Sequence, residues 1–376
     1  MEKYTLLLAE MQAEDFGAEK MIGKNDFLCY CIVSAEEKES IMVTMKDIAE
    51  KAGVSRPTVS AVLNPGKTSI RIGPETRKRI LQIAAEMGYL PNENARAVRA
   101  GHTRIIGVIG NSNGSFAARI FRGIAWGIQD SGYSMKLVIP SEDEGFANAV
   151  QRCAEQRSCG IIFFASDQEV TQEVWEMTRR YQIPAVLLSS NESDLCGCRI
   201  TSDDEDGIAQ AVRHLQSLGH SRIGFASEEI HKHYLYAIRR RNGFVQAMAE
   251  NYDPALDFHL HKAQNNSPER YCAILDAVRR KDLTAVICGS DYMAARLLQQ
   301  LQGAGIRVPQ DVSVIGFGDL ECAPLLTPAL TSVAQPFLEM GRQSVSRVLQ
   351  LIREPEKIDN VVLPVQLVIR ETTGKI

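Results

Sequence analysis

The chain has 376 residues, 45% of them hydrophobic and 23% charged, and a formal net charge of −4. That length is too great for one core and implies more than one domain, while the mildly acidic total excludes a uniformly basic nucleic-acid coat. Nine cysteines without a secretion signal read as reduced thiols of a cytoplasmic protein, and no membrane partner is expected.

Charge is unevenly placed along the chain. Residues 1–41 carry a net −5, residues 42–101 a net +5, and the remainder a net −4. The first 41 residues are expected to be an extension, either weakly ordered or the product of an upstream start, because Met42-Val43-Thr44-Met45 would serve as an ordinary beginning. The apolar run at Leu6 to Ala9 is too short to be a signal sequence.

Residues 44–64, TMKDIAEKAGVSRPTVSAVLN, predict two short helices and a tight turn. Thr44 and Asp47 have capping-box spacing, and Ile48, Ala49 and Ala52 share one face. Ala52-Gly53 supplies small residues for the turn, and Ser55 caps the second helix. Pro57 falls in that helix's first turn, where the missing amide had no partner to lose. Val54, Val59, Val62 and Leu63 are expected to pack on Ile48 and Ala49, leaving Arg56, Pro57, Ser60 and Ala61 outward. A helical hairpin with a solvated polar face would give the same pattern. The concentration of positive charge in this segment favours a helix-turn-helix head that faces a phosphate backbone.

A basic turn, PGKTSIRIGPET, precedes a third helix that Pro74 opens. Its apolar stripe is Ile80, Ile83, Ala84 and Met87, with Gly88 at the end. Pro91 then stops the chain. Residues 93–99 could form two helical turns, too few and too polar to stand alone in water. They read as a flexible linker, or as a hinge that becomes helical only on DNA.

From Arg104 onward, apolar runs such as RIIGVIG, KLVI, GIIFFA, PAVLLS, RIGFAS, AVICG and VSVIGF alternate with amphipathic stretches. Regular alternation of this kind predicts doubly wound parallel sheets, here too long for one lobe. Ligands of such sheets bind beyond the carboxyl ends of the strands, and between two lobes the cleft is the natural place. No P-loop, dinucleotide fingerprint or nucleophile elbow is present, so no enzyme activity and no cofactor are expected. The close pairs His231/His233 and His259/His261, and Cys29/Cys31 and Cys196/Cys198, lack the partners of a metal site. Two residues stand out as ligand candidates. Arg240 precedes Asn-Gly-Phe at the head of a predicted helix, and Asp291 opens a helix after the strand AVICG. Each also has a plain reading: Arg240 as part of an exposed arginine run, Asp291 as a helix cap.

Residues 43–376 resemble the LacI/GalR family of bacterial transcription repressors. The resemblance is carried by DIAEKAGVSRPTVSAVLN, GYLPNENARAVR, LGHSRIGF, RRNGF, GSDYMAARLL, VPQDVSVIGFGD, TPALTSVAQP and LVIRET, in the family's order. It implies an all-α helix-turn-helix head joined to an α/β, two-lobed, periplasmic-binding-protein-like effector domain. The expected limits are 1–41 for the extension, 42–91 for the head, 92–103 for the hinge and 104–376 for the effector domain. Within the last, lobe 1 is expected at about 104–219 and 333–350, and lobe 2 at about 220–332 and 351–376. The family's DNA-contacting positions fall on Thr44, Ser55, Arg56, Pro57, Thr58, Ser60, Ala61, Asn64, Thr76, Tyr89, Asn92, Ala95, Arg96, Val98 and Arg99. Its effector positions fall on Arg240 and Asp291, with Phe116, Asp203, Tyr236 and Asn265 nearby. The implied partners are a pseudo-palindromic double-stranded operator, a small-molecule effector such as a sugar, and a second copy in a homodimer.

Three departures from the family pattern matter. Ala61 stands where many members carry a long polar base-reading residue, Val98 replaces the usual hinge leucine, and the loop at 65–73 is longer. A solute-binding protein shares the two-lobed architecture, but it would need export and no DNA head.

Overall fold

The computed structural model describes residues 43–63, 70–92, 97, 101–110, 115–140, 145–164, 170–188, 198–228, 235–260, 268–357 and 359–376. The extension at 1–41 lies outside the described residues. The chain divides into two compact units, Met1–Glu93 and Asn94–Ile376.

The described part of the first unit is three helices: α1 (Met45–Ala52), α2 (Arg56–Leu63) and α3 (Pro74–Glu86). The capping box at α1 forms as the spacing predicts. The Thr44 amide donates to Asp47 Oδ2 at 2.8 Å and the Asp47 amide donates to Thr44 Oγ1 at 3.4 Å. Those bonds from the Thr44 amide and hydroxyl hold the Asp47 carboxyl below its ordinary range. Gly53 closes α1 with a left-handed φ of 63°, and its amide reaches the carbonyls of Ala49 and Glu50. Ser55 caps α2 by accepting from the Thr58 amide at 3.4 Å. At the end of α3, Gly88 has a φ of 65°. The Tyr89 amide reaches Ala84 O and the Gly88 amide reaches Ala85 O, which is a Schellman closure. It swings the Tyr89 ring onto the small core of Ile48, Ala49, Ala52, Val59, Val62, Ile80 and Ala84. Ile48, Val59 and Ile80 are fully buried, each contributing roughly 1.5–3 kcal/mol.

One expectation about this unit fails. Ala61 does not face outward but is buried. It lies two positions beyond Val59 and next to Val62, on the margin of the packed side of α2.

The second unit contains two six-stranded sheets. In lobe 1, β1 (Ile105–Gly110), α4 (Ser115–Ile128), β2 (Ser134–Val138), α5 (Gly145–Glu155), β3 (Gly160–Phe164), α6 (Gln172–Arg180), β4 (Ala185–Leu188) and β5 (Cys198–Ser202) follow in order. The chain then enters lobe 2. There α7 (Asp204–Ser217), β6 (Ile223–Glu228), α8 (Leu235–Met248), β7 (Asp257–Leu260), α9 (Cys272–Arg279), β8 (Ala285–Cys288), α10 (Asp291–Gly303), β9 (Ser313–Gly318) and β10 (Thr331–Ala334) follow. It returns through α11 (Phe337–Arg353) and β11 (Val361–Leu363) and ends in lobe 2 with β12 (Gln366–Val368). The strand orders are β11-β5-β4-β3-β1-β2 and β12-β10-β9-β8-β6-β7. Every pairing is parallel except that of β10 with β12. Short connections make parallel neighbours only through helical crossovers, and both sheets are accordingly covered by helices.

The lobe limits differ from the expected ones. The chain crosses at 202–204 rather than at 219, because α7 buries Ile208, Ala211, Val212 and Leu215 against β6, β8 and β9 of lobe 2. Residues 351–363 belong to lobe 1, since Leu351 sits in its core and β11 pairs with β5. Three strands of chain therefore cross between the lobes, at 202–204, 334–337 and 363–366.

Packing of α4 against α11 depends on two glycines. A Cβ on Gly341 would strike Ile120 O and the Ile124 amide, and one on Gly123 would strike Leu338 O. Their absence of side chains lets the two helix backbones touch.

Candidate functional site

Two places in the fold carry functional side chains. The first is the exposed side of α2. Arg56 and Pro57 are exposed in its first turn, Ser60 is half-buried one turn later, and Thr58 is tied to Ser55 by a 2.9 Å hydroxyl contact. Thr44 and Ser55, the two cap residues, are exposed beside it. Thr76 is half-buried at the start of α3, followed by exposed Arg77, Lys78 and Arg79. Tyr89 is half-buried by the closure of α3, and Asn92 is exposed. Asn64, Ala95, Arg96, Val98 and Arg99 lie outside the described residues. An eight-residue helix spans about 12 Å, and the DNA major groove, about 12 Å wide, admits one. The positive end of the α2 dipole and the adjacent cationic side chains suit phosphate, and the Arg56 fork suits a base edge.

The second place is where the two lobes meet. Here the structure brings some expected residues together and reassigns others. Arg240 lies inside α8 rather than at its head, and it is buried, not part of an exposed run. Its guanidinium donates through Nε to Asp204 Oδ2 at 2.8 Å, through Nη1 to Gly289 O at 2.6 Å, and through Nη2 to Gln335 Oε1 at 3.2 Å. The plane rests 3.8 Å over the Phe317 ring and 5.2 Å from the Tyr236 ring. Ser202 Oγ donates to Asp204 Oδ1 at 2.6 Å, and Gln335 Nε2 donates to Ser202 Oγ at 2.8 Å. Ser202 and Asp204 flank the first crossing and Gln335 lies in the second. Arg240 thus staples two interlobe crossings to the end of β8. A fully buried Asp204 leaves the arginine's charge compensated within the protein.

Asp291 is not the helix cap that its position suggests. It opens α10, but the cap is Ser290, whose Oγ accepts from the Met293 amide at 3.3 Å. The Asp291 carboxylate is fully buried and points back into the protein. It accepts from the Leu320 amide at 2.6 Å and from Ser332 Oγ. Burial pushes its carboxyl above the ordinary range, and those two bonds oppose the shift. Gly316 and Gly318 leave the room it occupies. Asp291 therefore organises the carboxyl end of β9.

Asp203 caps α7 by accepting from the Asp206 amide at 3.1 Å, and its own amide donates to Leu363 O at 2.9 Å. That bond ties the first crossing to the third. Phe116 is half-buried in lobe 1, edge-on to Phe164 at 5.8 Å and tilted against Phe337 at 5.5 Å. Tyr236 sits beside Arg240 and, with Ser227, Ala237, Gly289, Ser290 and Met293, lines a cavity of about 20 Å³ at the ends of β6 and β8. That is the size of a single water. Asn265 lies outside the described residues.

Sequence reading missed Ser202, Asp204, Gly289, Phe317 and Gln335. The order T-S-D-D before an amphipathic helix was the available signal for two of them. For Gln335, no local pattern marks a partner 95 residues from Arg240.

Comparison with known proteins matches both parts of the chain. The family described as bacterial regulatory proteins, lacI family, matches residues 44–92, and a periplasmic binding protein-like domain matches residues 212–373. The HTH-type transcriptional repressor PurR of Vibrio parahaemolyticus is 31% identical over 341 residues, covering 89% of this chain and 100% of the relative. The chain belongs to the LacI family. Catabolite control protein A of Priestia megaterium is 29% identical, over 88% of this chain and 99% of its own length. A crystal structure of the Lac repressor dimer bound to operator and the anti-inducer ONPF superposes with a TM-score of 0.72. It is 28% identical to this chain and covers 88% of it and 99% of its own length.

The protein is accordingly a DNA-binding transcriptional regulator with a ligand-binding type of effector domain. The reading as a solute-binding protein without a DNA role is set aside, since these relatives are regulators over nearly the whole chain. Among the described residues, no group of three or more His, Cys, Asp and Glu side chains is placed to hold a metal ion. No helix among them is long and apolar enough to cross a membrane.

Proposed function

We propose that the protein is a cytoplasmic repressor that binds a pseudo-palindromic operator as a homodimer and adjusts its grip when a sugar or related metabolite enters the interlobe cleft. The observation that carries the DNA half is the exposed first turn of α2, with Arg56 and Pro57 on a helix fixed at both ends of its preceding turn by Gly53 and Ser55. In this reading Arg56 contacts a base edge, Arg77, Lys78 and Arg79 of α3 meet phosphate, and Arg96, Val98 and Arg99 act at the minor groove. Thr44, Ser55, Thr58, Ser60, Asn64, Thr76, Tyr89, Asn92 and Ala95 contribute positioning contacts. Buried Ala61 contributes none.

For the cleft, Arg240 and Tyr236 are the residues that meet the guest, with Phe116 opposite. An arginine has five N–H donors, and among the described residues three are engaged by Asp204, Gly289 and Gln335, which leaves two for ligand hydroxyls. The homodimer is supported by apolar side chains left exposed on lobe 1, namely Trp126 on α4, Met135 and Leu137 in the edge strand β2, and Ile139 just beyond it. The Lac repressor structure is of a dimer with an operator and a small molecule, which lends the same support.

A gel-shift assay on the promoter region of the protein's own gene tests the proposal. Retardation that survives excess random DNA is expected, and binding no tighter than to random DNA would refute it. A thermal-shift screen of sugars, nucleosides and bases tests the cleft. A hit should vanish in Arg240→Ala, and a hit retained there would remove Arg240 from the site.

A further inference from the structure

Beyond the ligand candidates, one segment of lobe 2 reaches across to lobe 1. Gly318 ends β9 with a φ of 127°, and Asp319 follows with a φ of 49°, a left-handed conformation that a side chain disfavours. The turn is held there from three sides. The Asp319 amide donates to Ser332 Oγ at 3.0 Å, and its carboxylate pairs with Arg370 Nη2 at 2.7 Å. The Leu320 amide donates to buried Asp291. All three anchors belong to lobe 2. What the turn presents goes the other way. The Asp319 carbonyl accepts from Arg119 Nη1 of α4 at 2.8 Å, and Glu321 lies 3.9 Å from Arg119 Nε. The Leu320 side chain packs on the lobe 1 core.

We propose that Gly318–Glu321 is an interlobe clasp, gripped by Arg119 and plugged by Leu320, that sets the closure of the cleft. It rests on the reading of that cleft as the regulated site and adds the element through which its opening is controlled. Two physical reasons favour a switch over passive contact. The turn is pre-shaped by Asp291, Ser332 and Arg370, so little ordering is needed when it docks. Among the described residues it is also joined to lobe 1 by one charge-assisted bond and one leucine, few enough to release as a unit. The exposed Glu321 pair adds little, being screened by solvent.

Hydrogen exchange and an interlobe distance measured between spin labels, one on each lobe, test the clasp in the full chain without DNA or ligand. Arg119→Ala should raise exchange about tenfold in peptides covering both 115–123 and 318–323, and should broaden the distance toward longer values. Arg119→Lys should restore part of the effect, because an ammonium can still donate to the carbonyl. Glu321→Gln should change little. If Arg119→Ala does not fold, Leu320→Ala carries the same test. A rise confined to 115–123 with an unchanged distance would overturn the clasp. Since no operator or effector is present, that failure is distinct from failure to bind DNA or ligand.

Discussion

Removing Asp204 should destabilise the effector domain far more than its position at a helix start suggests. Asp204 is fully buried and Arg240 is 6% exposed, and their Nε–Oδ2 bond is 2.8 Å long. In Asp204→Ala the arginine keeps Gly289 O and Gln335 Oε1 but loses its counter-charge. Breaking a buried pair from one side costs about 3–5 kcal/mol, because the remaining charge stays out of water. Ser202 and Gln335 would lose an acceptor as well, so the upper part of that range is expected. Arg240→Ala should cost less, since Asp204 would keep the Ser202 hydroxyl and the Gln335 amide. The double variant Asp204→Leu/Arg240→Met should be more stable than the sum of the two single losses, as neither charge is then stranded. Urea unfolding followed by far-ultraviolet circular dichroism measures all three. A loss below about 1 kcal/mol in Asp204→Ala, or additive losses in the double variant, would refute the reasoning that Arg240 acts as a staple.

Other perturbations have equally definite outcomes. Gly341→Ala places a methyl group against Ile120 O and should cost about 1–3 kcal/mol by forcing α4 and α11 apart, read as a lower urea midpoint. Thr44→Ala removes the acceptor for the Asp47 amide and should lower the stability of the helical head by about 1 kcal/mol, measured by its melting. His220 is buried, and burial lowers its proton affinity below the ordinary 6.5 although its bond with Gly374 O opposes this. The native state then binds fewer protons than the unfolded chain, so stability should be full above pH 6.5 and fall as pH drops below it. Urea midpoints at pH 8 and pH 5.5 should differ less in His220→Gln than in the parent.

The legible parts of the fold were those with local causes. Thr44, Asp47, Gly53, Ser55, Pro57 and Gly88 announce helix ends because caps and turns are decided within a few residues. Six of the seven apolar runs became central strands, because a strand covered on both faces is apolar throughout, and the seventh, KLVI, became the edge strand β2. The strands missed were β5, β7 and β10, whose sequences CRITS, DFHL and TSVA carry polar residues that serve hinge and edge positions, and the three-residue edge strands β11 and β12, too short to show a pattern. The lobe limits were misplaced because the apolar stripe of α7 does not say which sheet it covers.

The cleft was legible only in part. Arg240 stood out by its motif, yet its partners lie 36, 49 and 95 residues away, and nothing local marks them. Asp291 stood out for the same reason but serves the turn at Leu320. Ala61 was misjudged because a small residue at the margin of an apolar face fits either side of a helix.

The central claim is that α2 reads bases through Arg56. Fluorescence anisotropy of the parent and Arg56→Ala, on an operator fragment and on random DNA at one salt concentration, tests it most directly. The account predicts a loss of about 1–3 kcal/mol on the operator, with relaxed discrimination at one base position and a much smaller loss on random DNA. An equal loss on both DNAs would show that Arg56 touches only phosphate, and would contradict the claim.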